Sequence, residues 1–476
     1  MTNLSELTIA SAAAGLRAKE FSVRELWDAI HARAIERNGE INAYLELFEA
    51  DESAIKDAQA RIDTEGDKAP QLCGIPLAIK DNILIEGHIA SAGSKILENY
   101  TAPYDATVIK KLKEAGALFL GRANMDEFAM GSSTEHSAYG VVRNPRDVSR
   151  VPGGSSGGSA ASVAGNMALA SLGTDTGGSI RQPAGHCGLV GLKPTYGRVS
   201  RYGAVALGSS LDQIGPLAKT VADCKALYDV IKGTDVLDAT SIPDDLYKAK
   251  ELGAKLRIGV PRALLEAGLD ADVMETFANT LKKLEEAGHE IIDVSLPTSK
   301  YALPVYYILM PAEASTNLSR YDGMRYGLAK RGETLLDDYV SSRSEGFGEE
   351  VKRRILLGTF VLSAGYIDAY YRKAEATRDV LRAEYNEAFK SCDVIAFPTT
   401  ASPAFKFGEK SDPVSMYVED IFTVTANLTG MPAISVPMGM VERDGVSLPL
   451  GIHFTAVHGA EETLFKIGAD VTGEQL

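Results

Sequence analysis

The chain is poor in cysteine: four in 476 residues, Cys73, Cys187, Cys224 and Cys392, far apart and with no C-x-x-C pair. That spacing excludes a zinc knuckle and a disulfide framework, and no metal-ligand set is suggested. Basic charge is also short, with 49 Lys+Arg against 64 Asp+Glu and a net charge of −15. A broad phosphate-binding surface needs clustered Lys and Arg, so a nucleic-acid-coating protein is excluded. No apolar run approaches the ~20 residues of a membrane span. The N-terminus, Met1-Thr-Asn-Leu-Ser-Glu6, lacks the basic and apolar regions of a secretory signal. A cytoplasmic protein without membrane contact is expected. Internal repeats and low-complexity tails are absent.

What is present is glycine, 45 of 476 residues, above the ~7% of average usage. The glycines crowd between Gly131 and Gly215. Around them, the chain reads as strands alternating with helices. Residues 1–65 look helical, with a capping-box pattern at Ser22-Val-Arg-Glu25. Strand-like apolar runs follow at Ile75–Ile79, Ala117–Leu120, Met167–Leu172, Arg257–Val260, Glu290–Val294, Val394–Phe397 and Ala433–Val436. Helical patterns over Ala106–Glu114 and Val273–Glu286 lie between several of them. This alternation predicts an α/β layered sheet, mixed because some connections are too short for crossovers. Residues 301–390 have many helix formers and predict a helical excursion. No Pro/Ser linker separates it, so residues 1–476 read as one domain.

Two glycine clusters stand out, Gly153-Gly-Ser-Ser-Gly-Gly-Ser159 and Asp175-Thr-Gly-Gly-Ser179. By composition the first resembles a flexible linker, but it runs directly into the small-residue helix Ala160–Ala164 and a further apolar run. No Lys follows the glycines as a Walker A loop requires, and G-x-G-x-x-G is missing. Gly153–Gly157 does match G-x-S-x-G, yet that elbow must follow a strand, and Arg143–Arg150 is not one. In the second cluster a strand-like run ends in glycines and Ser179. Backbone N–H groups from Thr176, Gly177, Gly178 and Ser179 would suit an oxyanion cradle. A serine nucleophile needs a base. His186 lies seven residues on, without a diagnostic spacing. Lys80, at the end of the apolar run Ile75–Ile79, has two readings: an edge-strand lysine in water, or a desolvated neutral amine. The spacing itself does not choose between them.

Gly74-Ile-Pro-Leu-Ala-Ile-Lys-Asp81, Gly153–Ser159 and Gly173-Thr-Asp-Thr-Gly-Gly-Ser-Ile-Arg-Gln-Pro183 together resemble the amidase signature family, over almost the whole chain. The resemblance implies a single α/β/α domain with a large mixed central sheet covered by helices. It implies Ser179 as acyl-forming nucleophile, Ser155 as bridging serine on a cis peptide and Lys80 as terminal base. Thr176, Gly177, Gly178 and Ser179 would form the oxyanion hole.

Met125–Glu135, Val199–Gly203, Ser209–Gly215 and Glu313–Asp322 are similar to those family members that hydrolyse glutamine within tRNA-dependent amidotransferases. That likeness implies no cofactor in this chain, with ATP and magnesium used by a partner, the B component, that phosphorylates the misacylated tRNA. A small C component would brace a heterotrimer, and ammonia would pass through a protected channel. The tRNA would meet this chain only indirectly, as Glu-tRNA(Gln) or Asp-tRNA(Asn). Free glutamine carries two charges that need partners when buried. Arg354, with Arg353 as rival, matches the family position for the α-carboxylate, and Asp420 that for the ammonium. Tyr307 or Tyr306 matches a substrate-contacting tyrosine. His136 and Ala204–Gly208 depart from the pattern without touching Lys80, Ser155 or Ser179. A stand-alone amidase acting on small amides is the alternative.

Overall fold

The computed structural model describes residues 3–243, 245–247, 253, 255–265 and 268–475. Met1 and Thr2, where the N-terminal reading starts, lie outside the described residues. Among the described residues eleven strands form one sheet: β1 (Tyr44–Leu47), β2 (Pro76–Lys80), β3 (Leu118–Ala123), β4 (Ala170–Asp175), β5 (Val190–Lys193), β6 (Gln213–Ala218), β7 (Arg257–Val260), β8 (Glu290–Asp293), β9 (Val394–Pro398), β10 (Ala433–Arg443) and β11 (Val446–Ala456). Their order across the sheet is β1-β3-β2-β4-β6-β5-β10-β11-β9-β7-β8. β2 is parallel to β3 and β4, and β7 is parallel to β9 and β8. The remaining pairs are antiparallel. The sheet is mixed, as expected.

Helices α1 (Ile9–Ala18), α2 (Val23–Ile41) and α3 (Glu52–Glu65) form the N-terminal segment. Ser22 caps α2 as predicted, its hydroxyl accepting from Glu25 N while Glu25 reaches back to Ser22 N. The all-helical expectation for residues 1–65 fails at β1. Tyr44 there is buried, its hydroxyl donating to Met167 O at 2.8 Å, and tertiary contact makes this strand. Further along come α4 (Thr107–Glu114), α5 (Gly157–Ala164), α6 (Arg181–Cys187), α7 (Val221–Ile231) and α8 (Ala271–Glu286). The helical excursion holds α9 (Ala302–Asn317), α10 (Leu335–Gly346), α11 (Glu349–Leu362) and α12 (Lys373–Ala388), before α13 (Pro413–Tyr417), α14 (Val424–Thr429) and α15 (Glu461–Thr472).

Two cores result. The larger surrounds the sheet. A second joins the excursion to the segment around residues 92–130, with Met125, Phe128, Val305, Leu309, Phe347 and Val351 among its members. The excursion is therefore seated on the same segment that leads into the glycine loops. α11 approaches α9 closely because Gly358 has no side chain: a Cβ there would overlap the Pro311 carbonyl oxygen.

Candidate active site

β2 and β4 are adjacent and parallel, so Lys80 and Asp175 end them on the same side of the sheet. Ligand sites in α/β sheets gather outside such carboxyl ends. β4 extends three residues beyond the apolar run, through Gly173-Thr174-Asp175, and pulls part of the predicted loop into the sheet.

Lys80 is not on an edge. β2 lies between β3 and β4, all five of its residues are buried, and Lys80 is 0% exposed. Its Nζ lies 2.8 Å from Ser155 Oγ, 2.8 Å from Ser156 Oγ and 2.9 Å from Thr174 Oγ1. Burial pushes the ammonium down to about 7, against the opposing charges of Asp126, Asp175 and Asp212. A neutral amine at that place can accept a proton from the Ser155 hydroxyl. Ser156 and Thr174 carry no separate signal in the sequence, although both lie inside the glycine-rich stretches.

The loop Gly153–Ser159 is buried throughout and pinned on several sides, which removes the linker reading. Gly154 N donates to Gln182 Oε1 at 2.8 Å, and Thr134 Oγ1 donates to Gly153 O at 2.8 Å. Asp126 N donates to Ser155 O at 3.2 Å, and Ser156 N donates to Ser179 O at 3.2 Å. The Gly154–Ser155 peptide is cis. A Cβ on Gly154 would overlap the Asp126 carboxylate, so only glycine fits.

Ser179 is buried in the turn between β4 and α6. Asp175 shapes this turn, accepting from Gly178 N at 3.0 Å and Ile180 N at 3.2 Å and pairing with Arg181 and Asn427. Burial would raise the Asp175 carboxyl, yet Arg181 outweighs it and holds the group well below the usual carboxylate range. Gly178 has φ +141° and its missing Cβ makes room for Thr423. Since the Gly178 N–H already serves Asp175, an oxyanion facing the turn would turn to Thr176, Gly177 and Ser179.

A second group lies beside this turn. Thr423 Oγ1 donates to Gly177 O at 2.6 Å. Asp420, three residues earlier and buried, accepts from Ser132 Oγ at 3.0 Å and from Tyr307 Oη at 3.0 Å. Burial pushes its carboxyl up to about 7, against those hydrogen bonds and the charge of Arg354. Arg354 is buried on α11, its Nε donating to Glu350 Oε1 at 2.7 Å. Its guanidinium stands 5.3 Å from the ring centroids of Tyr307 and of Tyr417, which stack on each other. Arg353 is about half exposed instead. Tyr306 packs over Gly177, where a Cβ would touch its ring. Of each ambiguous pair, Arg354 and Tyr307 face Asp420's neighbourhood. Ser132, Glu350 and Tyr417 are additional members; Ser132 sits within the Met125–Glu135 stretch, while Glu350 and Tyr417 carry no local signal.

His186 is buried too, with burial and then the Lys410 charge pushing it down to about 3. Its Nδ1 lies 3.4 Å from Gln182 Nε2, which makes it part of the wall supporting the loop. Among the described residues no group of three or more His, Cys, Asp or Glu stands together to hold a metal ion.

A buried lysine set against the hydroxyls of Ser155 and Ser156, at the end of a strand in an eleven-stranded mixed sheet, is an arrangement suited to base-assisted acyl transfer. The family model described as Amidase matches residues 25–465, and the chain belongs to this family. It is 52% identical over 474 residues to the A component of glutamyl-tRNA(Gln) amidotransferase from Koribacter versatilis, covering 98% of each chain. The crystal structure of the same component from Thermotoga maritima is similar with TM-score 0.80 and 41% identity, covering 99% of this chain and 95% of that one. Native peptide amidase from Stenotrophomonas maltophilia is more distant in sequence, at 28% identity, with TM-score 0.80 over 98% and 96%.

Proposed function

We propose that this chain is the glutamine-hydrolysing subunit of a tRNA-dependent amidotransferase. One observation carries the reading: buried groups of opposite charge, Arg354 and Asp420, are joined through Tyr307 beside the turn that bears Ser179. Free glutamine presents a carboxylate and an ammonium, and each finds a counter-charge there. With a small neutral amide Arg354 would keep Glu350 as its partner, but the buried Asp420 carboxylate, held only by hydroxyls, would face no cation of the substrate. That comparison, with the full-length likeness to the amidotransferase relatives, favours glutamine over the stand-alone reading.

Neutral Lys80 would draw a proton from Ser155 as Ser155 takes one from Ser179. Ser179 Oγ then adds to the carboxamide carbon. The N–H groups of Thr176, Gly177 and Ser179 would hold the oxyanion. As the C–N bond breaks, the proton returns from Lys80 through Ser155 to the leaving nitrogen, and ammonia departs. Water attacks the glutamyl ester, giving a proton along the same path, and glutamate is released with Ser179 restored.

The ammonia would be consumed by the B component, where ATP and magnesium activate the γ-carboxyl of Glu-tRNA(Gln), or the corresponding group of Asp-tRNA(Asn), with the C component bracing the pair. The deciding experiment measures ammonia release and Gln-tRNA(Gln) formation by the chain alone and with the B and C components, ATP, magnesium and Glu-tRNA(Gln). Conversion of the tRNA with all components present is expected. Rapid hydrolysis of simple amides by the lone chain, without tRNA conversion in the full mixture, would overturn the assignment.

A further inference from the structure

The segment Asp126–Thr134 touches both halves of the site, and its second residue has no part in the chemistry above. Asp126 N meets Ser155 O, and the Asp126 carboxylate accepts from Thr134 N at 2.9 Å and His136 N at 3.1 Å. Ser132 reaches Asp420. Glu127 turns the other way. It is 3% exposed, and its Oε2 accepts from Gly348 N at 2.8 Å while Oε1 accepts from Ser94 Oγ.

Gly348 is the residue that opens α11, two positions before Glu350 and six before Arg354. Its own side chain offers no cap, and a Cβ on it would overlap Glu127 Oε2. A glycine and a buried carboxylate therefore fit each other at the start of this helix. Orphan N–H groups at helix starts need such acceptors. Here the acceptor comes from the same segment that holds the Ser155 loop. Phe128 and Met125 on that segment, with Phe347 and Val351 beside Gly348, belong to the second core, so the contact is not a surface accident.

We infer that Glu127 is a positioning residue for glutamine recognition: by capping α11 at Gly348 it fixes the place of Arg354 relative to the Ser155 and Ser179 loops. The inference rests on the glutamine reading. Burial pushes the Glu127 carboxyl up to about 7, against its hydrogen bonds and the charges of Lys352 and Lys95. A neutral side chain of the same shape should then serve almost as well as the carboxylate.

The test uses the chain assembled with its amidotransferase partners, glutamine as one substrate and butyramide, which lacks both α-groups, as the other. Glu127→Ala is expected to raise the KM for glutamine about tenfold, the scale of one lost buried hydrogen bond, with kcat changed less than about threefold. The preference for glutamine over butyramide should fall by the same factor. Glu127→Gln should restore KM to within about threefold of the parent. Gly348→Ala, which crowds the same contact from the helix side, should reproduce the KM effect if Glu127→Ala folds poorly. Equal losses on both substrates would make Glu127 merely structural and overturn the inference, as would an unchanged KM in both Glu127→Ala and Gly348→Ala. A parent complex without glutamine turnover removes the glutamine reading, and this inference with it. Turnover in the parent with an unchanged Glu127→Ala removes the inference alone.

Discussion

Lys80 and Lys193 are both fully buried at strand ends, and burial pushes both ammonium groups down to about 7. Only their contacts separate them. Lys193 Nζ donates to the Pro194 carbonyl at 2.9 Å, whereas Lys80 Nζ meets hydroxyls that can pass a proton. A base must be deprotonated, so the neutral fraction of Lys80 grows as pH rises through about 7. Glutaminase kcat is expected to climb along that limb and level off above it, in a pH profile from about 5.5 to about 9. Asp420 adds a KM limb of the same sense: below about 7 it gains a proton and loses its attraction for the substrate ammonium. Asp420→Asn should therefore raise KM and flatten its pH dependence while leaving the kcat limb. Lys80→Ala should cost about 10²–10⁴ in kcat; a Lys80→Ala enzyme with undiminished kcat would end its role as base.

At the scale of elements, the pairing of α9 with α11 sets the spacing between Tyr307 and Arg354. Gly358 permits it by leaving room for the Pro311 carbonyl. Gly358→Ala should destabilise the protein by about 1–3 kcal/mol as the helices separate, seen as a lower Tm, with KM for glutamine raised alongside. Unchanged Tm and KM would show that the two helices are not in limiting contact. Some elements are legible along the chain and others are not. The run Ile75–Ile79 is continuous and apolar because β2 is covered on both faces. β11, by contrast, gives no clear strand pattern although it runs eleven residues. Pro449, Gly451 and His453 break its pattern, and its neighbours override that local preference. Pro449 pairs with Met440 in the hairpin with β10, beyond the stretch from Ile452 that also joins β9. β6 hides in the same way behind Gly215 and Pro216.

At the scale of the molecule, the charge of −15 fits the proposed division of labour, in which this chain would make ammonia and another component would hold the tRNA. The isolated chain should bind tRNA weakly in a filter or fluorescence titration between about 50 and about 200 mM salt, and log affinity should fall only shallowly with log salt, because few phosphates would be neutralised. A steep slope would place a basic tRNA surface on this chain. No helix among the described residues is long and apolar enough to cross a membrane. A cleft of about 610 Å³ lies between α2, α3 and β3, with Trp27, Phe48 and His88 on its walls and without Lys80, Ser155 or Ser179 in its lining.

By itself the sequence determined the α/β class and the glycine-rich loops, because glycine spacing and unbroken apolar runs are local signals, while Lys80, Ser155 and Ser179 became candidates together only through the resemblance of their motifs to the amidase signature family. It left open whether Lys80 meets water, which of Arg353 or Arg354 is buried, and where the Glu127 side chain lies. Tertiary structure decided these. Burial, which shifts the lysine, and the contacts among β2, the Gly153–Ser159 loop and α11 arise only when residues far apart in the chain are packed together.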